Sequence, residues 1–230
     1  VGLWLTYIHP AQRPEAIADV IEARAIGAGR LPIWRGLSAA VISAISLGGG
    51  ASTGREGPAV HLGAALGSFL AQRFGFTPTH MRTLLAAGAA SAVAASFNAP
   101  IAGALFALEV VLGHYALRAS GPIVIASVIG ALIVRFHMGA SPAFVLPDYM
   151  ITSLADFPAF AALGVISALV AIGFMQVAMK TDDLARRITM PLWLRPVAGG
   201  LGLGLIGLWF PEVLGVGYAA TDAALQGEFG

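Results

Sequence analysis

The sequence predicts an all-α integral membrane protein built from short, broken and tilted helices. Three observations carry that expectation. Its 230 residues are 57% hydrophobic and 11% charged, and the mean hydropathy is +0.82, well outside the composition of a soluble domain. Glycine and proline interrupt the apolar runs from within, which in membrane sequences marks close helix packing and discontinuous helices. Finally, a carboxylate, Glu56, lies between two apolar runs at 39–47 and 59–67, where an ionisable group is costly and points to a functional site. The lipid bilayer is therefore the expected surrounding. A net charge of +1 offers no basic face, so nucleic acid is excluded as a partner. The chain has no cysteine, and hence no disulfide or thiolate chemistry. No His/Asp/Glu set has metal-ligand spacing, and no Ser/His/Asp arrangement or phosphate loop occurs. An enzyme, a metal and a cofactor are not expected.

Taken in order, residues 1–8 read as the last turns of a spanning helix closed by His9-Pro10. The chain starts inside this apolar run without an initiator Met and ends after a polar turn, so it is expected to be an internal piece of a longer protein. From Pro14 to Arg24, apolar residues recur at helical spacing behind a proline at the helix start, giving a short amphipathic helix too brief to cross alone. Trp34 and Arg35 mark an interface, and 35–47 is a membrane segment. After the central motif come a helix over 57–74 and a polar turn bearing Arg73, Pro78, His80 and Arg82. Residues 81–97, rich in Ala, Gly and Ser, read as a buried helix in which Ser91 and Ser96 are packing positions. Asn98-Ala99-Pro100 breaks that run, and 101–112 continues it. Both pieces fall short of the roughly 20 residues a straight span needs, so re-entrant helices are expected. Residues 121–138 form a full span and 142–158 a loop with Asp148 and Asp156. The strongest span is 159–179; Lys180, Arg186, Arg187 and Arg195 after it favour the cytoplasmic side. The last apolar segment, 193–210, is a glycine-rich, close-packing helix.

The stretch Gly54-Arg55-Glu56-Gly57-Pro58 organises the rest. Glycines let the backbone break and approach a ligand, and Pro58 suits the first turn of a helix. That helix would aim its free N–H groups and positive dipole end at whatever lies beside Glu56. The result is an anion site with a carboxylate at its mouth.

This motif, the Asn98-Ala99-Pro100-Ile101-Ala102-Gly103 break and Leu105-Phe106-Ala107-Leu108-Glu109 together resemble, in order and spacing, the CLC family of chloride channels and chloride/proton exchangers. The resemblance extends over essentially the whole chain and implies a CLC-type inverted-repeat architecture, with 1–145 as most of the first repeat and 146–230 as the start of the second. A faint echo agrees: Leu3-Trp4 with its proline turn and short helix parallels Leu208-Trp209-Phe210-Pro211-Glu212 and the segment 218–226. The resemblance makes Glu56 the gate, whose carboxylate fills an anion site until it swings away or is protonated. It makes Gly54, Arg55, Gly57 and Pro58 part of that site, Pro58 only shaping the turn. It also implies a homodimer in which each subunit has its own pore and 97–109 and 121–138 face the second copy.

Two departures matter. Where the family carries a serine that coordinates the central chloride, the matching stretch Pro10-Ala11-Gln12-Arg13-Pro14 has Ala11, so Gln12 or backbone amides would substitute, or binding there is weaker. Where the exchangers carry a second, proton-relaying glutamate, one place after Glu109, this chain has Val110, as the family's channels do. Glu109 is thus a proton-pathway candidate whose simpler role is a structural hydrogen bond. The expected function is a gated chloride channel in a bacterial plasma membrane, with chloride as the transported ion. The alternatives are a chloride/proton antiporter, a fluoride-selective relative and a scaffold without transport. Arg55 reads as a helix-start support, because a full cation in the path would hold chloride too tightly. His61 reads as a polar residue facing a neighbouring helix.

Overall fold

Many of the helix ends in this chain lie at or beside a proline or a glycine, as at Pro32, Gly48, Pro78, Pro100 and Gly139. The computed structural model describes residues 1–8, 13, 15–139, 154 and 156–227. Among them the regular structure is helical: α1 (Gly2–Tyr7), α2 (Ile17–Ala25), α3 (Ile33–Gly48), α4 (Glu56–Arg73), α5 (Pro78–Phe97), α6 (Pro100–Phe106), α7 (Leu117–Met138), α8 (Asp156–Arg187), α9 (Arg195–Gly207) and α10 (Tyr218–Gln226). A π-helical turn, Ala107–Leu112, continues α6, and a 3-10 turn, Pro211–Val213, follows α9.

The core is organised around α5, which packs against α4, α6, α7 and the π-helical turn. Its Leu85, Ala86, Ala89 and Ala90 are fully buried, against Val60, Ala64 and Ala65 of α4, Ala107 and Val111 of the π-helical turn and Ile123 of α7. Small residues make this possible. A Cβ built on Gly63 would run into the Gly88 carbonyl, and one on Gly88 into the Gly63 carbonyl, so α4 and α5 meet backbone to backbone as close-packing membrane helices do. On the other flank of α5, Ser91 lies where a side chain on Gly130 of α7 would go.

Hydrogen bonds of single hydroxyls fasten the connections. The buried Ser68 hydroxyl donates to Gly29 O at 2.7 Å and accepts from Leu31 N–H at 2.8 Å, pinning the α2–α3 loop to α4. Ser127 donates to Pro100 O at 2.6 Å, occupying a carbonyl at the start of α6. Trp4 Nε1 donates to Ser38 Oγ at 2.8 Å, tying α1 to α3. The helices shuttle between two ends. At one, Arg55 beside α4 meets Ser96 near the end of α5, and Arg135 of α7 meets Asn98. At the other, Arg82 of α5 donates to Arg24 O at the end of α2.

Several boundaries differ from expectation. Pro78, His80 and Arg82 lie inside α5 rather than in a turn before it, because proline at a first helical turn fits without losing a hydrogen bond. With its 20 residues, α5 is long enough to cross a bilayer; only the α6 limb, of seven residues plus a six-residue π-helical turn, is short. The break between them is as expected, with Asn98 in the left-handed region at φ 53°. Helix α7 starts at Leu117, so Pro122 falls within it. Both α7, at 22 residues, and α8, at 32, are long and apolar enough to cross a membrane. In α8 Asp156 is the first helical residue; most of the expected 142–158 loop lies outside the described residues. Helix α9 is not close-packed on its glycines, since a Cβ on Gly199, Gly200, Gly202 or Gly204 would meet nothing within 4 Å.

The α4–α5 contact makes a direct prediction. Gly88→Ala should cost about 1–3 kcal/mol through overpacking and lower the midpoint of thermal unfolding in detergent. Gly48→Ala, where a Cβ meets open space, should leave it unchanged or raise it.

Candidate functional site

Arg55 is the N-cap of α4 and Glu56 its first residue. The first rung of this turn runs from Ala59 N–H to Arg55 O at 3.1 Å, so the Glu56 and Gly57 amides precede the ladder and Pro58 has none to offer. The positive end of the helix dipole therefore opens toward the turn 51–55. The Glu56 side chain folds back over that turn. A Cβ on Gly54 would lie 2.6 Å from Glu56 Oε2, so only glycine at 54 leaves the carboxylate this position.

The other carboxylate oxygen, Oε1, accepts a hydrogen bond from the Tyr218 hydroxyl at 2.9 Å and lies 4.0 Å from Arg55 Nε. Arg55 in turn donates from Nη2 to Ser96 O at 3.3 Å and stands 5.1 Å from the centre of the Tyr218 ring, within cation–π range. Partial burial, and then the Glu56 carboxylate it donates to, hold the Tyr218 phenol above its ordinary pKa. It remains a protonated donor throughout the range where carboxylates titrate. Beside this group lies a cavity of about 390 Å³ lined by Arg55, Ser96, Phe97, Asn98, Val134 and Tyr218, among others. Asn98 Oδ1 accepts from Arg135 Nε there at 2.6 Å.

A second ionisable cluster lies deeper. Glu15, just before α2, and His61, on α4, both have fully buried side chains, and the carboxylate is 3.7 Å from His61 Nε2 and 3.6 Å from Arg35 Nε. Asp19 at the third position of α2 accepts from the Ala16 amide at 2.8 Å and pairs with Arg13. His61 does face a neighbouring element, as its position on α4 suggested. No local pattern singles out its partner Glu15, which lies 46 positions away.

Of the residues expected at the site, Gly54, Arg55, Glu56, Gly57 and Pro58 come together at the head of α4. Ala11 and Gln12 lie outside the described residues. Glu109 is elsewhere, exposed in the π-helical turn, where its Oε2 accepts from Tyr115 at 3.2 Å. The neighbouring Val110 is 41% exposed. Tyr218, the residue missed, is 162 positions from Glu56; no local pattern could link them.

Comparisons place this geometry among known proteins. The family described as voltage gated chloride channel matches residues 1–230. The ClcB-like chloride channel protein of Ralstonia nicotianae is 33% identical over 229 residues, covering 98% of this chain and 53% of that protein. The chloride channel protein CLC-f of Arabidopsis thaliana is 33% identical over 208 residues, covering 86% of this chain and 26% of that protein. The chain thus spans about half the length of the bacterial relative. Among solved structures, a slow cyanobacterial Cl−/H+ antiporter aligns with a TM-score of 0.79 at 26% identity, over 97% of this chain and 53% of its own. A CLC-type fluoride/proton antiporter aligns at 0.78 and 24% identity, over 98% of this chain and 58% of its own, which shows the shared fold.

The buried cluster can be tested by itself. Glu15→Ala leaves Arg35 and His61 without this carboxylate and should cost about 3 kcal/mol. Arg13→Ala, which removes a side chain that is 54% exposed, should cost about 1 kcal/mol or less. Thermal unfolding of the two variants in detergent gives the order.

Proposed function

We propose, of a chain that belongs to the voltage gated chloride channel (CLC) family, that it forms part of a membrane path for chloride and similar small anions, gated by Glu56. Proteins of this family are membrane channels and transporters. The observation that carries the reading is the place of the Glu56 carboxylate: folded over Gly54 at the dipole-positive head of α4, where an anion would also be drawn.

Partial charges suit conduction. Helix amides replace part of an anion's hydration without the deep trap of a full cation, so the ion can leave as well as enter. Gly54, Arg55 and Gly57 would contribute their backbones and Pro58 the shape of the turn, with Ala11 and Gln12 completing the path. The Arg55 guanidinium, engaged by the Tyr218 ring and the Ser96 carbonyl, acts as a support rather than a direct ligand. When ionised, Glu56 competes with the anion for the same dipole end; protonation removes the competition. Conduction therefore rises as external pH falls.

Chloride/proton exchange is the second reading, supported by the likeness to the cyanobacterial Cl−/H+ antiporter. Glu109 would then be the proton carrier nearest the family's relay position, which Val110 occupies. We also propose a homodimer: Ile101 and Leu105 of α6 and Ile125, Ile129, Leu132 and Phe136 of α7 form an exposed apolar surface where the family resemblance puts the second copy. A bacterial plasma membrane, a repeat boundary near 145 and transport without a resident cofactor complete the proposal.

Two measurements test it. In liposomes holding the protein that carries this chain, Glu56→Gln should give chloride flux independent of external pH and at least as fast as the parent; a variant that keeps the parent's pH response removes Glu56 as the gate. Recording chloride and pH together in the parent separates the two readings, since flux without proton movement is expected for a channel and proton uptake against its gradient for an exchanger.

A further inference from the structure

We propose that Tyr218 is a positioning residue for the Glu56 carboxylate, a latch from the C-terminal part of the chain that holds the closed gate over Gly54. The inference rests on the gate reading of Glu56 and adds a partner that the motif itself does not contain.

Geometry on both sides of the bond supports it. The Tyr218 hydroxyl donates to Glu56 Oε1 at 2.9 Å while Oε2 lies over Gly54, so one oxygen is held and the other is parked in the glycine's empty side-chain space. The ring cannot swing freely, because the Arg55 guanidinium stacks 5.1 Å from its centre and is itself bonded to Ser96 O. The backbone that carries Tyr218 is anchored to the turn preceding the gate: Gly215 N–H donates to Gly50 O at 3.4 Å. Gly217, left-handed at φ +82°, is the N-cap that starts α10 at Tyr218. The ring thus reaches Glu56 from a fixed point.

The chemistry makes such a latch responsive to charge. A phenol O–H bonds most strongly to an ionised carboxylate. Protonating Glu56 weakens the bond, and the gate is released when it also ceases to compete with the anion. The groups facing the carboxylate are the charged Arg55, from its own helix start, and the neutral Tyr218 phenol, from α10. Arg135 of α7 is engaged with Asn98, and His61 is directed at Glu15. The phenol itself is held in its protonated form by burial and by Glu56, so it stays a donor to the carboxylate.

The test compares four proteins in liposomes: the parent, Tyr218→Phe, Glu56→Gln and the double variant. Tyr218→Phe keeps the ring beside Arg55 and removes the hydroxyl that donates to Glu56, so its unfolding midpoint should stay close to the parent's. At neutral external pH its chloride flux should rise, by up to about tenfold for the loss of a hydrogen bond to a charged group. At acid pH the two should coincide. In the Glu56→Gln background the substitution should have no effect. If Glu56→Gln abolishes the pH response while Tyr218→Phe follows the parent, the latch is wrong and the gate stands. A gain that persists in the Glu56→Gln background also overturns the latch. If Glu56→Gln keeps the parent's pH response, the gate reading fails and the latch with it.

Discussion

The contact between Gly63 and Gly88 fixes the position of everything else in the site. With no side chain between them, α4 and α5 lie at a backbone-to-backbone distance that a larger residue would widen. The buried alanines of both helices then close the core, and the end of α5 brings the Ser96 carbonyl to Arg55. The head of α4 is thereby held against its neighbour at one end and tied to the α2–α3 loop through Ser68 at the other. A dipole-positive helix end is useful as an anion site only if it cannot shift with the ion. Close packing of small residues supplies that rigidity without any polar ligand.

The two ionisable clusters on α4 show how burial sorts similar groups into different roles. His61 and Glu15 are both fully enclosed, within 3.7 Å of each other and beside Arg35. Removing a partner from such a set leaves a charge with no water to receive it, so these side chains are held in place. Glu56, five residues earlier, has a side chain that is 28% exposed. Helix α4 contributes His61 to a buried cluster in its body and carries the partly exposed Glu56 at its head.

The C-terminal part of the chain reaches the site by a different route. Helices α9 and α10 contribute no buried residue, and Gly199, Gly200, Gly202 and Gly204 of α9 border open space. Yet the segment after α9 meets the turn before Glu56 at Gly50 and carries Tyr218 onto the carboxylate. Like α2, α10 has nine residues. The Glu56 carboxylate thus lies where the N-terminal and C-terminal parts of the chain meet.

The sequence by itself determined the all-α membrane class and the helix that begins at Glu56, because each depends on local chemistry: hydropathy along the chain and proline at a helix start. The Asn98-Ala99-Pro100 break was legible for the same reason. Helix starts at Pro78 and ahead of Pro122 were placed too late, since proline is tolerated early in a helix as readily as it ends one. Only the tertiary structure decided that Glu15 partners His61, that Ser96 offers its carbonyl to Arg55 and that Tyr218 holds Glu56. These pairs are far apart in sequence, and it is the approach of α4 to α5 and of the segment before α10 to the turn at Gly50 that brings them within hydrogen-bonding or ion-pairing reach.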